Sequence, residues 1–261
     1  MDSNELPESF YEIFDPSLPR LNPGDEASTL SALNMLRSAG SGREEDAALR
    51  FRRILDLGCG CGGQTLLLAR YTEGQILALD NHQAYLDELC RRTQATGFSG
   101  RIRTVLKDMR TLTKDDGPFD LIWSEGALFV IGFREGLKTC HSLLVPGGGL
   151  AVSELCWLRP DPPEDCRRFF SEVYPAMTDI DAALAVIRAC DYEVLGHFVL
   201  PESAWWTSFY RPVEERLRSL RKRCSEDAEK MSMIESIQKE IDIYRQYSEY
   251  YGSVFFVMRR R

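Results

Sequence analysis

The chain predicts an α/β fold: a doubly wound, mostly parallel sheet of seven strands, with a reversed last strand and a helical cap. Three observations carry that prediction. Apolar runs of strand length alternate with helical patterns from Phe51 to about residue 200, the order that lays helices on both faces of a parallel sheet. Gly58, Gly60, Gly62 and Gly63 crowd between the first run and the first helix. So many glycines there mark a loop that wraps a small molecule at the carboxyl edge of the sheet. Finally, a long stretch of helical spacing separates the last two strand runs.

In chain order, residues 1–50 carry Pro7, Pro16, Pro19 and Pro23, then a helical pattern through Leu30, Leu33, Met35 and Leu36. A polar, glycine-bearing loop follows from Ser38 to Asp46, and the whole segment reads as an N-terminal lid. The core spans 51–202 and 252–261. A strand at 52–57 feeds a helix at 63–71, and a strand at 75–80 (QILALD) feeds a helix at 82–96. Strands at 101–106, 118–124 and 148–156 follow, with helices at 133–144, 163–172 and 179–190, then a strand at 192–200. The insertion, 203–251, repeats Leu217, Leu220, Met231, Ile234, Ile237, Ile241 and Tyr244 at helical spacing, and a strand at 253–258 closes the core.

Bulk composition narrows the function. The chain has 261 residues, 44% apolar and 28% charged, with formal net charge −8. An acidic chain is poorly suited to nucleic acid, whose capture depends on Lys and Arg. No apolar run approaches the ~20 residues of a membrane helix, and MDSNELPESF has neither the basic start nor the apolar core of a secretory signal. The eight cysteines form no C-x-x-C pair, so we expect no metal and reduced thiols in a cytoplasmic protein.

The glycine loop admits two ligands. Gly58, Gly60 and Gly63 satisfy G-x-G-x-x-G, and Asp80 ends the second strand where a dinucleotide fold holds a ribose. A nicotinamide-dependent oxidoreductase is therefore a competitor. Asp56, two residues before the first glycine, argues against a pyrophosphate, which it would repel by roughly 1 kcal/mol or more. Asp108 ends the third strand, so Asp56, Asp80 and Asp108 end three successive strands, each able to accept from amines or hydroxyls.

With those residues in place, the stretch from about 51 to 156 resembles the class I S-adenosylmethionine-dependent methyltransferases, a Rossmann-like fold. LDLGCGCGG is similar to their first motif, ALD to their second-strand acid and KDM to their adenine-side motif. FDLIWSEGALFVIG is similar to their fourth-strand motif and LLVPGGGLAVSE to the turn before strand five. PESAWW and YSEYYGSVFFVM are similar to a bacterial subgroup related to the type 11 and quinone-biosynthesis methyltransferases, a likeness that names no substrate.

The resemblance implies S-adenosyl-L-methionine as cofactor and a small-molecule methyl acceptor. Gly58, Cys59, Gly60 and Gly62 would lie against its methionine part, and Asp56 would meet the ammonium directly or through water. Asp80 would bind both ribose hydroxyls, with Asn81 beside them; Asp108 would accept from the adenine amine, with Met109 on the ring. Ser124 and Glu125 follow strand four, where the methyl should point. Glu125 is the first candidate for a substrate-facing acid or base. Glu154, a carboxylate inside an apolar strand, needs a partner or a task. Trp205, Trp206 and Tyr210 are candidates to line the acceptor site; as helical neighbours the two tryptophans point about 100° apart, so they cannot both face inward. A non-catalytic cofactor-binding module, or a homodimer, would be favoured by an exposed apolar face on the 211–248 helices.

Overall fold

The computed structural model describes residues 6–39 and 51–261; positions 1–5 and 40–50 of the expected lid, with most of its loop, lie outside the described residues. α1 (Glu8–Ile13) and α2 (Glu26–Ser38) precede the sheet. Then β1 (Arg53–Leu57), α3 (Gly63–Tyr71), β2 (Gln75–Asp80), α4 (Gln83–Thr96) and β3 (Ile102–Leu106) alternate as expected. β4 (Phe119–Glu125), α5 (Phe133–Leu143), β5 (Leu144–Trp157), α6 (Glu164–Val173), β6 (Thr178–Asp179), α7 (Ile180–Ala189) and β7 (Tyr192–Val199) continue the pattern. The cap holds α8 (Glu202–Trp205), a π turn (Trp206–Tyr210), α9 (Arg211–Arg223) and α10 (Ala228–Tyr247), and β8 (Tyr251–Arg260) returns to the sheet.

The sheet runs β3-β2-β1-β4-β5-β8-β7. The first five strands are parallel, and β8 inserts antiparallel to both β5 and β7. β6 is a two-residue addition on the end of β5, unexpected because so short a pair leaves no periodicity to read. This order differs from that of the dinucleotide fold, whose sheet runs 3-2-1-4-5-6 in parallel.

Alternation along the strands sorts the core. Leu55, Ile122 and Phe256 face α5 and α7, while their neighbours Ile54, Leu121 and Phe255 face α2, α3 and α4. α2 thus covers the sheet through Ala32, Leu33 and Leu36, whereas α1 packs with the cap. Asp25 starts α2 by accepting from the Ser28 amide at 2.7 Å, and removing such a cap costs about 1 kcal/mol. In the cap, Val213, Leu217, Leu220, Ile234, Ile237 and Ile241 are all buried, so the apolar stripe of the 211–248 helices is turned inward. The helix that begins at Glu202 is interrupted by its π turn where Pro212 cannot donate to the carbonyl four residues back.

Candidate active site

The site grows from the turn after β1. The amides of Gly58 and Cys59 both donate to the Leu79 carbonyl at 2.9 Å, which ties the loop to β2. Gly58 takes φ +73°, and a Cβ there would lie 2.3 Å from the Ala127 Cβ. Only glycine fits such a position. At the tip of β2 the Asp80 carboxylate accepts from the Gly60 amide at 2.8 Å and the His82 amide at 3.0 Å. Burial raises its pKa, and those backbone donors oppose the rise.

A cleft opens over these tips. Its walls include Gly58, Cys59, Gly60, Asp80, Asn81, Asp108 and Met109 from the sequence-derived set. Asp108 is held by the Arg110 guanidinium, which pulls its pKa down. Asp56, Gly62 and Ser124 lie behind the residues that line it. Asp56 is fully buried below the loop, where it accepts from Gln64 at 3.1 Å and Thr65 at 2.5 Å, and burial pushes it up to about 7. Gln64 both donates to it and lines the cleft. Gly62 starts α3 at φ +83°, with Leu89 packed where its Cβ would go. Ser124 donates to the Leu57 carbonyl at 2.9 Å and braces β4 against β1.

Glu125 lines the cleft, as its position suggested, and is also tied to the chain between α1 and α2. Arg20 reaches it at 2.5 Å, Trp123 Nε1 donates at 2.8 Å and Thr29 at 3.2 Å, while Asn22 donates to its backbone carbonyl. The pair is buried, with 7% and 1% of the Arg20 and Glu125 side chains exposed. Glu125 therefore anchors the strap that runs from α1 to α2. That strap supplies Arg20, Leu21 and Asn22 to the cleft wall and α1 supplies Phe10 and Tyr11, and Tyr11 stacks on His82 with ring centroids 3.8 Å apart.

Beyond Gly126 a second chamber adjoins the first, sharing Phe10, Leu21, Asn22, Gly126 and Phe129 with it. Glu154 lines it from β5, accepting from the Tyr174 hydroxyl at 2.8 Å and the Leu155 amide at 3.1 Å. Burial pushes Glu154 up to about 7 against both bonds. Trp205 and Tyr210 line the chamber, and Tyr210 donates to Glu240 at 3.0 Å. Trp206 does not line it: its Nε1 donates to Glu202 and the Arg245 guanidinium lies over its ring. The strap residues, Tyr174 and Glu240 were missed by sequence reasoning. The strap's prolines were the one available signal, and nothing local marks the other two.

Among the described residues no group of three or more His, Cys, Asp or Glu is arranged to hold a metal ion, and no helix is long and apolar enough to cross a membrane. The eight cysteines are free thiols.

A strand-loop-helix with a glycine cradle, an acid at the tip of β2 and a reversed β8 give this chain the fold of the class I S-adenosylmethionine-dependent methyltransferases. Residues 54–148 match the family described as "Methyltransferase domain". A methyltransferase from Geobacter sulfurreducens, solved with S-adenosyl-L-homocysteine, superposes with TM-score 0.78 at 20% identity, covering 99% of this chain and 100% of that one. A second, from Thiobacillus denitrificans with the same ligand, gives 0.80 at 20% identity over 98% and 100%. A sterol 24-C-methyltransferase of Neurospora crassa is 26% identical over 64% of this chain and 46% of its own length. A trans-aconitate 2-methyltransferase of Streptomyces avermitilis is 39% identical over 38% and 37%. The chain thus spans about half the length, or less, of the curated relatives it matches.

Proposed function

We propose that this chain is an S-adenosylmethionine-dependent methyltransferase that acts on a small-molecule acceptor in the cytoplasm. The observation that carries the reading is the pair of adjoining spaces: a cradle for a nucleoside over the tips of β1–β3, and an aromatic chamber reached past Gly126.

The residues fit the cofactor. Asp80 keeps acceptor capacity beyond its two backbone bonds and would take the ribose hydroxyls. Asp108 and Met109 would take the adenine. The backbone of Gly58–Gly60 and Gln64 would lie along the methionine part. Arg20 Nε is buried with no partner, and the guanidinium lies against Gly63, which suits it to the cofactor's carboxylate. Asp56 would then act through Gln64, holding that side chain in place. When bound, the cofactor supplies an activated methyl group, so the protein needs only alignment and a dry pocket. Alignment alone can supply roughly 7–11 kcal/mol in favourable cases. No basic face toward nucleic acid, and no partner copy, is required by this arrangement.

A thermal-shift comparison tests it. S-adenosyl-L-homocysteine should raise Tm and NADH should not, because a ligand of the native state stabilises it. The reverse pattern would overturn the reading.

A further inference from the structure

We propose that the acceptor is an apolar amine, bound in the chamber beyond Gly126 and methylated on nitrogen, with Glu154 taking its proton. This deepens the methyltransferase reading and rests on it.

The argument starts from what surrounds the acceptor. Phe10, Phe129, Phe169, Phe170, Trp205 and Tyr251 present aromatic rings to the chamber. The quadrupole of such rings makes their faces negative, so a ring-lined space favours a cation. Two carboxyl groups join them, Glu154 and Glu240, and no Lys, Arg or His is among the lining residues. Each acid has a tyrosine hydroxyl as its side-chain donor, Tyr174 for Glu154 and Tyr210 for Glu240, and among the described residues neither is in an ion pair. Taking acids out of water with no counter-charge is costly. An ammonium is the ligand charge that relieves it; a carboxylate or diphosphate would add to it. Burial holds both carboxyls above their ordinary range. The entering cation would favour their ionised forms, leaving Glu154 able to accept a proton at neutral pH.

The body of the ligand follows from the same walls. Exposed Phe129 and Val173 line the chamber, and exposed Leu6 and Val130 line the adjoining cleft. Their place at its margins suits an apolar skeleton. The step balances. Glu154 removes one proton from the bound ammonium. The freed nitrogen lone pair forms the N–CH3 bond as the S–CH3 bond breaks, and that pair stays on sulfur. The products are a methylated ammonium and a neutral thioether, and the proton leaves Glu154 for solvent.

The test uses the full chain saturated with S-adenosyl-L-homocysteine and three matched probe sets. These are 2-phenylethylamine, 2-phenylethanol and phenylacetate; decylamine, decanol and decanoate; and geranylamine with geraniol. Calorimetry should show the amine of at least one set binding at least tenfold tighter than its alcohol or acid. That preference should shrink to less than threefold in Glu154→Gln or in Glu240→Gln, with S-adenosyl-L-homocysteine affinity kept in both. Alcohols, acids or geraniol binding as well as the amines, or no amine binding at all, would overturn the proposal. A preference untouched by both substitutions would overturn it too. Failure to bind S-adenosyl-L-homocysteine would instead strike the broader reading, so the two failures are distinguishable.

Discussion

Removing the Glu125 carboxylate should destabilise the protein far more than its loop position suggests. Arg20 and Glu125 form a buried pair whose side chains are 7% and 1% exposed. Glu125→Ala leaves the Arg20 guanidinium buried, with its Nε already lacking a partner. It also strips Trp123 Nε1 and the Thr29 hydroxyl of an acceptor. Breaking one side of a buried pair costs about 3–5 kcal/mol, a large share of the ~5–15 kcal/mol that holds a typical protein folded. In urea, at a slope of about 3 kcal/mol per M, the midpoint should fall by about 1–1.7 M. Replacing both partners with apolar residues, Arg20→Met with Glu125→Leu, should recover most of that loss, because no charge is left stranded. A Glu125→Ala midpoint within about 0.2 M of the parent, on that same slope, would refute the anchoring role. So would a double variant no more stable than the single one.

Other outcomes follow from the same geometry. Asp80→Ala should weaken S-adenosyl-L-homocysteine at least tenfold by calorimetry, since hydrogen bonds to a charged group are worth about 1.5–3 kcal/mol each; unchanged affinity would contradict the ribose assignment. Gly58→Ala forces a side chain into a positive φ and against Ala127; it should lower stability by about 1–3 kcal/mol and abolish measurable cofactor binding. Glu154 titrates near 4.5 when unfolded and at about 7 when folded. Its contribution is whole below the lower value and lost as pH rises through the upper one. Between about pH 5.5 and 8, Glu154→Gln should therefore gain about 2 kcal/mol on the parent in denaturant titrations; a pH-independent difference would refute the buried titration.

The parts of the site legible in the sequence were those built from neighbours in the chain. The Gly58–Gly63 loop, Asp80 and Asp108 follow strands whose ends the alternation marks, so strand order alone brings them together. Glu154 stood out because a charge in an apolar strand needs an explanation. Its partner Tyr174 could not be read, since it lies on the connection after α6 and meets β5 only through tertiary packing. Arg20 was equally silent: a strap with little regular structure has no period, and its register over the cleft is set by Glu125, more than a hundred residues away. Trp205 and Trp206 show the same limit. Helical geometry said that the two must diverge, but only the packed cap shows that Trp205 turns to the chamber.

The position of β8 has a consequence for how the molecule forms. Among the described residues β7 hydrogen-bonds to β8 and to no other strand, yet the whole cap lies between the two in the chain. Until β8 is delivered past those helices, β7 has no strand partner and β5 lacks its second neighbour, so that side of the sheet stays incomplete. Closing such a distant pairing is slow, and an open strand edge invites association with other chains. Substitutions in the loop between α9 and α10, which lines neither ligand space, should therefore change the yield of folded protein without altering its chemistry.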